Sequence, residues 1–475
     1  MIRDSLTEID PRPKPVMPIT PRAVLMGALA AALLAVINPY LAFVNLTWDV
    51  GSGSLLGSAV VVLFVLVLIN GLFVRLLPGR AFTRGELLVV YGMLIISVGL
   101  AMQGGLPYIV SSTVYPIYMA TPENGWEHMI LPNVPLWLRP DRVGVVEWFW
   151  QGSPEGFGVP WADWLTPMLA WGSFTLALMA AMLCLGALLS KDWIDRQRLT
   201  FPLVDVPLAI SGDQPRPTLR TSILNNRIFW IGFAIPAALA VLAWFHKLYP
   251  AVPAVNLWDL HVGRYFAGMP LPWRVLWDMR VSIIFPIIGI TCLLPAEVSL
   301  SLWLFYVLFQ VQMLIWGSFG VAEEGGTAAI AINPRNFVAF QEAGGFIALS
   351  AVVLYQSRNT IRTAWWSLLG RAPSDPDPYT PLGGRWALLG FLLANGFMLW
   401  WAVRANMTWW SFALLIGVFY AVLLGASRLV AAGGVMFVDT GFYPRGVVLR
   451  TVGALPIGPT ALTMYSYLSV IYMYD

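Results

Sequence analysis

The sequence has few charged side chains. Of its 475 residues only 11% are Asp, Glu, Lys or Arg, whereas 58% are hydrophobic and the mean hydropathy is +0.71. Soluble globular chains carry about 25% charged residues, so this composition cannot cover a water-facing surface. The shortage of charge therefore excludes a soluble globular protein and indicates that lipid surrounds much of the chain.

Cysteine and histidine are also scarce. The two cysteines, Cys184 and Cys292, both lie in apolar runs and provide no disulfide framework. The three histidines are far apart in the chain, and the motifs HExxH, CxxC, GxSxG and the phosphate-binding GxxxxGKS/T do not occur. A formal net charge of +3 is too small to indicate nucleic acid. We therefore expect no metal, no cofactor, no nucleic-acid partner and no enzymatic activity.

Long apolar runs are abundant instead. Crossing a bilayer takes about 20 apolar residues, and ten runs approach that length, with a weaker eleventh. They cover 23–44, 55–76, 86–103, 164–189, 228–247, 281–296, 298–318, 337–355, 386–403 and 409–427, with the eleventh near 451–472. We expect an all-α polytopic transmembrane bundle of about 10–11 spans with broken or re-entrant segments. A polar tail (1–22) precedes a single transmembrane domain (23–475).

The basic residues predict the orientation of this bundle. If the N-terminus is cytoplasmic, about 20 of the 28 Lys and Arg residues fall on the inner side, as the positive-inside rule requires. The basic loops 190–227 and 356–385 are then inside, and the Trp- and Pro-rich loops 119–163 and 248–280 are outside, where we expect them to fold as caps. The sequence thus predicts a multi-pass protein of a bacterial inner membrane, in contact with its lipids.

Glycine pairs interrupt two of the apolar regions. Such breaks expose backbone groups, which in lipid need protein or a water-lined cavity, and paired broken helices mark substrate sites in transporters. Two interpretations stay open: segments 103–118 and 320–345 line a central cavity reached from outside, or they are interfacial loops with ordinary turn glycines. The candidate pathway residues are Gln103, Gly104, Gly105, Glu323, Glu324, Glu342, Gly344 and Gly345.

Several charges lie at or within apolar segments. Ionisable groups in a membrane are costly and are therefore functional candidates. Glu342 is the candidate proton carrier, whereas Glu86 and Glu297 more simply favour helix N-termini. The candidate anion-binding or gating charges are Asp278, Arg280, Glu297 and Arg335.

A family resemblance adds to these features. The stretch Lys191-Asp-Trp-Ile-Asp-Arg-Gln-Arg-Leu-Thr-Phe-Pro-Leu203 resembles a group of uncharacterised bacterial polytopic membrane proteins, a domain of unknown function. Its Arg-Leu-Thr-Phe-Pro part is distantly similar to the oligopeptide transporter superfamily, which implies proton-driven transport of peptides or metal chelates. Relatives continue beyond residue 475, so partner subunits are expected to supply further C-terminal helices. The resemblance extends to 82–115, 277–280, 295–303, 381–385 and 428–434.

Three functional hypotheses follow. The leading one is a secondary-transporter-like permease for a small peptide-like or chelate solute, with proton coupling. The alternative is a non-catalytic subunit of a larger membrane complex that binds lipid, quinone or pigment. A third is a membrane enzyme that acts on lipid-linked substrates with Asp278 and Glu297 as acids, which would require the two carboxylates to lie within about 10 Å of each other.

Overall fold

The chain folds into helices throughout the part that the structure describes. The computed structural model describes residues 19–41, 57–101, 106–212, 225–253, 260–320, 336–371, 383–438 and 440–472. Within these ranges there is no β-strand, and a single β-bridge joins Leu260 to Val281. The predicted all-α class is therefore confirmed.

Eight of the described helices are long and apolar enough to cross a membrane. They are α1 (Pro21–Pro39), α2 (Gly57–Leu76), α7 (Trp161–Lys191), α9 (Arg227–Leu248), α11 (Ala296–Ser318), α12 (Asn336–Gln356), α14 (Gly383–Arg404) and α15 (Trp409–Gly433). The remaining helices are α3 (Arg84–Ala101), α4 (Leu106–Tyr118), α5 (Trp126–Met129), α6 (Val143–Gln151), α8 (Pro202–Ser211), α10 (Phe285–Thr291), α13 (Arg358–Leu368), α16 (Pro444–Val452), α17 (Ala454–Ile457) and α18 (Pro459–Tyr472). The protein is a multi-pass membrane protein.

Helices α1, α2, α3 and α8 pack around one apolar core. Leu63, Leu87 and Leu94 are fully buried in it. The beginnings of α1 and α3 are joined by Glu86, whose carboxylate accepts hydrogen bonds from Arg22 Nη2 at 2.6 Å and from the Thr20 hydroxyl at 2.6 Å. An ion pair thus fixes two helix ends to each other.

A second group of helices is built on the antiparallel pair α7 and α14. Near the beginning of α7, Trp401 Nε1 donates to the Ala170 carbonyl at 3.1 Å. Towards the other end of the pair, a Cβ placed on Gly390 would lie only 2.7 Å from Cys184 Sγ, so glycine permits the close approach. The hairpin from α14 to α15 is closed by Tyr420, whose hydroxyl donates to the Asn395 side chain at 2.9 Å.

Residues 281–296, predicted as a span, form a broken segment instead of a continuous helix. Only α10 is helical, with seven residues, and Ile284 before it is extended. Val275, six residues before this segment, lies against Gly317 at the end of α11, and Leu294 lies against Gly434. Since Val298 at the beginning of α11 also approaches Gly433, residues 275–294 run the length of α11, roughly 34 Å.

The weaker predicted span near 451–472 is also interrupted. Gly453 and Gly458 have φ angles of 89° and 82° and separate α16, α17 and α18. Left-handed backbone of this kind favours glycine and ends each helix. At 14 residues, α18 is roughly 21 Å long, less than the roughly 30 Å of the bilayer core.

The predicted loops carry structure of their own. Residues 119–163 contain α5 and α6 and pack on α7 through a hydrogen bond of 3.0 Å from Trp171 Nε1 to the Leu138 carbonyl. The 190–227 loop contains a π-turn (Asp192–Arg196) and α8, and the 356–385 loop contains α13. Helix α13 packs on α14, with Ala364 facing Gly384.

Candidate functional site

Half of the predicted site residues lie outside the described part of the chain. The structure therefore gives no geometry for the glycine pair after α3 with the preceding glutamine, or for the acidic pair after α11 and the arginine before α12. These residues are Gln103, Gly104, Gly105, Glu323, Glu324 and Arg335.

Glu342 lies in the second turn of α12 and faces the chain segment after α15. It is half-buried, and its Oε2 accepts a hydrogen bond of 3.0 Å from the Gly441 backbone N–H. A Cβ on Gly441 would approach the same oxygen to 2.8 Å, so the backbone passes close to the carboxylate because the residue is glycine. Gly344 and Gly345 follow on α12 and are exposed.

The predicted charges around the broken segment lie far apart. Asp278 ends a 3-10 helix (Trp273–Asp278) that packs on the end of α11, and Arg280 follows it. Glu297 lies exposed in the first turn of α11. The backbone positions of Asp278 and Glu297 thus lie near opposite ends of α11, a helix of roughly 34 Å.

A cavity of about 460 Å³ lies between α4 and α18, and we call it the α4–α18 cavity. Among the described residues ten line it; seven of these carry a hydroxyl, and none of the ten carries a charge. It is lined by Tyr108, Ser111, Ser112, Tyr115, Pro116, Ile130, Leu462, Thr463, Ser466 and Tyr467. Its size suits a small organic molecule. The α4 side belongs to the segment 103–118 that the sequence predicts as a cavity lining, whereas the α18 side is not among the predicted site residues.

Tyr467 is the most deeply buried hydroxyl residue of the α4–α18 cavity. The residue is 6% exposed, and its hydroxyl has no hydrogen-bond partner among the described residues. The guanidinium of Arg139 acts on it electrostatically, and Arg139 Nε is itself buried without a described partner. Because buried polar groups are nearly always hydrogen-bonded, these two groups call for a water molecule or a ligand.

A second polar cluster lies at the C-terminal end of α7, roughly 30 Å along that helix from the level of Trp171. Its centre is Asp192, which is 2% exposed. One carboxylate oxygen accepts from Arg196 Nη1 at 2.9 Å and from the Thr360 hydroxyl at 3.3 Å. The other accepts from Gln197 Nε2 at 3.0 Å and from the Ser357 hydroxyl at 2.7 Å.

Arg428 of α15 completes this cluster. Its Nη1 donates to Gln197 Oε1, and its guanidinium lies over the Trp193 ring. A polar cavity of about 380 Å³ opens beside the cluster, and we call it the Asp192 cavity. It is lined by Asp192, Arg196, Gln197, Gln356, Arg358, Asn359 and Arg428.

The local backbone explains how distant segments meet at Asp192. The π-turn at the end of α7 places Asp192, Arg196 and Gln197 on one side. The chain then reverses through Arg198 and Phe201, which have φ angles of 49° and 46°. The Phe201 N–H donates to the Ala431 carbonyl at 3.0 Å, and this bond ties the turn to the end of α15.

Sequence reasoning missed two groups of site residues. On α18, the hydroxyls of Thr463, Ser466 and Tyr467 recur at spacings of three and four, which place them on one helical face. This polar stripe in an apolar run was the available signal. For the contact between Gln197 and Arg428, 231 positions apart in the chain, the sequence contains no local signal.

Comparison with known proteins gives a family without a known activity. No curated protein and no solved structure matches the chain. A family profile described as a family of unknown function, DUF6785, matches residues 13–475. Because this match covers nearly the whole chain, the protein belongs to the DUF6785 family of unknown function.

Proposed function

We propose that the protein is a secondary-transporter-like permease, and that the α4–α18 cavity is its solute site. The observation that carries this proposal is the buried Tyr467 hydroxyl, which lines a cavity of about 460 Å³ without a described partner. The cavity is also lined by α4, which directly follows the glycine pair where the sequence predicts a broken helix. Broken helices that line a cavity are typical of transporter substrate sites.

The lining of the cavity favours an uncharged solute. Its hydroxyls can donate and accept hydrogen bonds, but none of the described lining side chains can neutralise a charge. A free zwitterionic peptide or a charged metal chelate would lose hydration there without an ionic partner. Within the peptide-like class suggested by the oligopeptide transporter resemblance, a peptide without charged termini therefore fits best. The proposal concerns binding and passage of a solute, without catalysis.

Solute passage is tested in proteoliposomes under an osmotic gradient. Suitable uncharged probes are acetamide, glycerol and the cyclic dipeptide of glycine, and stopped-flow light scattering measures their entry. Tyr467→Phe removes the hydroxyl that we expect to form a hydrogen bond with the solute, and it is expected to slow entry about tenfold. Tyr420→Phe is the matched control because Tyr420 does not line the cavity. Entry no faster than into protein-free liposomes for every probe contradicts the proposal.

Proton coupling is assigned to Glu342. The supporting observation is a half-buried carboxylate on an apolar helix, held by the Gly441 N–H. Glu342→Gln keeps the side-chain volume and an oxygen acceptor but removes the titratable group. We expect it to abolish the acceleration of solute entry by a pH gradient while solute exchange at equal pH continues. A variant that still responds to the gradient contradicts this assignment.

We further propose a bacterial inner-membrane location with a cytoplasmic N-terminus. The support is the basic-residue distribution, since residues 275–294 still run the length of α11 and so preserve the predicted alternation. In a variant with Cys184 and Cys292 replaced by serine, Glu155→Cys should react with a membrane-impermeant maleimide on intact cells, and Arg371→Cys should not. The reverse pattern contradicts the orientation.

A non-catalytic subunit of a larger membrane complex is the second candidate. No residue of helix α9 is buried. Of the most apolar stretch of α11, 18 residues long, only 6% is buried. Both helices therefore expose apolar surface in nearly all directions. Lipid or neighbouring subunits can cover such surface. Purification from native membranes followed by native mass spectrometry distinguishes the two cases. A monomer that transports solute removes this candidate, whereas stoichiometric partner subunits favour it.

A further inference from the structure

We propose that the Asp192 cavity binds the phosphate group of an anionic molecule, and that a membrane phospholipid headgroup is its source. This inference is independent of the solute pathway, because the cavity lies at the other end of α7. Three arginines and one aspartate are the charged groups among its described lining residues. These residues therefore carry an excess of two positive charges.

The aspartate cannot remove this excess by direct contact. A carboxylate has about four lone-pair positions, and four described donors already occupy those of Asp192: Arg196, Gln197, Ser357 and Thr360. Neither Arg358 nor Arg428 lies within ion-pair distance of a carboxylate among the described residues. Within the part of the chain that the structure describes, two guanidinium groups thus face the cavity without a directly bound carboxylate.

Both guanidinium groups retain donors for a ligand. A guanidinium has five N–H groups, and the described hydrogen bonds use one at Arg358, to the Tyr355 carbonyl, and one at Arg428. Stacking of Arg358 on the Tyr355 ring, with 4.0 Å between the Cζ atom and the ring centroid, holds its planar group in place. Planar guanidinium groups around one cavity can form paired hydrogen bonds with an anion that has several oxygens. Phosphate is the common biological group of that shape.

Helix α13 favours a lipid as the source of that phosphate. It begins at Arg358 directly after α12, and its Ala364 is buried against α14, while Arg362 is exposed on its surface. Trp365 is 46% exposed. A short helix with apolar, basic and tryptophan residues at the end of spanning helices is typical of the headgroup layer. Basic pockets between spans on the cytoplasmic side bind acidic lipid headgroups.

The test is ligand-induced stabilisation of the full-length protein in an uncharged detergent without phosphate. The probes are dihexanoylphosphatidic acid, glycerol 3-phosphate and the uncharged dihexanoylglycerol, and the readout is the thermal unfolding midpoint as each is titrated. We expect phosphatidic acid to raise the midpoint. Arg358→Gln and Arg428→Gln should each require about tenfold more of it, as loss of a charge-assisted hydrogen bond predicts.

The matched control is Arg362→Gln. It removes one positive charge from the same helix outside the cavity, so its half-saturation concentration should stay within about twofold of the wild-type value. Arg358 is exposed, so its variant tests the proposal even if Arg428→Gln does not fold. A rise in the unfolding midpoint with phosphatidic acid but not with glycerol 3-phosphate supports a lipid source. An equal rise with glycerol 3-phosphate supports the phosphate site with a soluble ester as its ligand.

Three outcomes overturn the proposal. One is the lack of any shift with both phosphate probes. Another is an equal shift with dihexanoylglycerol, which would indicate an apolar effect of the acyl chains. The third is an Arg362→Gln variant that loses as much affinity as Arg358→Gln, which would indicate attraction by general surface charge instead of a defined site.

Discussion

Glu86 and Asp192 are both buried carboxylates next to an arginine, but their surroundings differ. Glu86 is 3% exposed and binds Arg22, Thr20 and the Thr83 N–H. Arg22 in turn donates to the carbonyls of Arg80 and Ala81. Both partners of this ion pair therefore form their hydrogen bonds with neighbouring chain segments, and the negative charge of Glu86 balances the positive charge of Arg22.

At Asp192 the acid is fully bonded, but the cations outnumber it. Arg196 balances its charge, while Arg358 and Arg428 add positive charge around a cavity of about 380 Å³. The number of cations around the acid therefore distinguishes a structural ion pair from a binding site. Both contain a buried acid, and only the one with excess cations beside open volume has a place for an anion.

Among the variants that test this comparison, Asp192→Ala is expected to lose the most stability. Four donors from α7, α13 and the turns beside them lose their acceptor, and removal of one partner from a buried charged network costs about 3–5 kcal/mol. Thermal unfolding midpoints, compared at one scan rate, measure the loss. Asp192→Asn, which keeps one oxygen acceptor, should lose less. Unfolding of Asp192→Ala at the wild-type temperature would show that the carboxylate does not hold these helices together.

A smaller loss is expected from Glu86→Gln. Because the Arg22 side chain is 41% exposed, it can return to water when its partner is neutralised, so we expect a loss of about 1 kcal/mol. The response to phosphatidic acid should stay at the wild-type level, since Glu86 does not line the Asp192 cavity. Arg22→Gln with Glu86→Gln completes a double-mutant cycle. A weakened lipid response in Glu86→Gln would mean that the two acidic clusters are not independent.

A similarly small change in stability is expected from Gly384→Val, which tests the comparison through packing. A Cβ at Gly384 would lie 3.4 Å from Ala364 Cβ, so the additional methyl groups of valine displace α13 at a cost near the low end of about 1–3 kcal/mol. The displacement also moves Arg358 and should weaken the lipid response. Gly396→Val is the matched control on α14, because a Cβ there meets nothing within 4 Å. Equal lipid responses in the two variants would contradict a role for docked α13.

Hydropathy predicted the continuous spans well, because length and apolarity are properties of a local stretch. Each of the eight spanning helices overlaps a predicted run. The same measure failed to distinguish a continuous helix from a broken one at 281–296, where apolar residues cross in an extended segment and the short α10. Hydropathy reports which residues lipid tolerates, but it does not report the backbone conformation, which also depends on packing against distant segments such as that of Leu294 against Gly434.

The candidate sites were only partly accessible to sequence reasoning. The break before α4 pointed to the α4–α18 cavity, but its other wall is α18, which follows in the chain more than 300 residues later. Glu342 stays a prediction as a proton carrier, with its partner at Gly441 now known. The charges around Asp192 read as interfacial residues in the sequence, and their excess is apparent only once Arg358 and Arg428 are placed beside them.

By itself the sequence determined the solvent of this protein and the helical character of its spans. Few charges and long apolar runs exclude a water-soluble fold and require a membrane. In lipid the backbone must form its hydrogen bonds within helices. The tertiary structure decided which helices meet, where α10 breaks its span, and that arginines from α12–α13 and α15 gather around one buried acid at the end of α7. Those outcomes depend on packing between segments far apart in the chain, and no local pattern of residues encodes them.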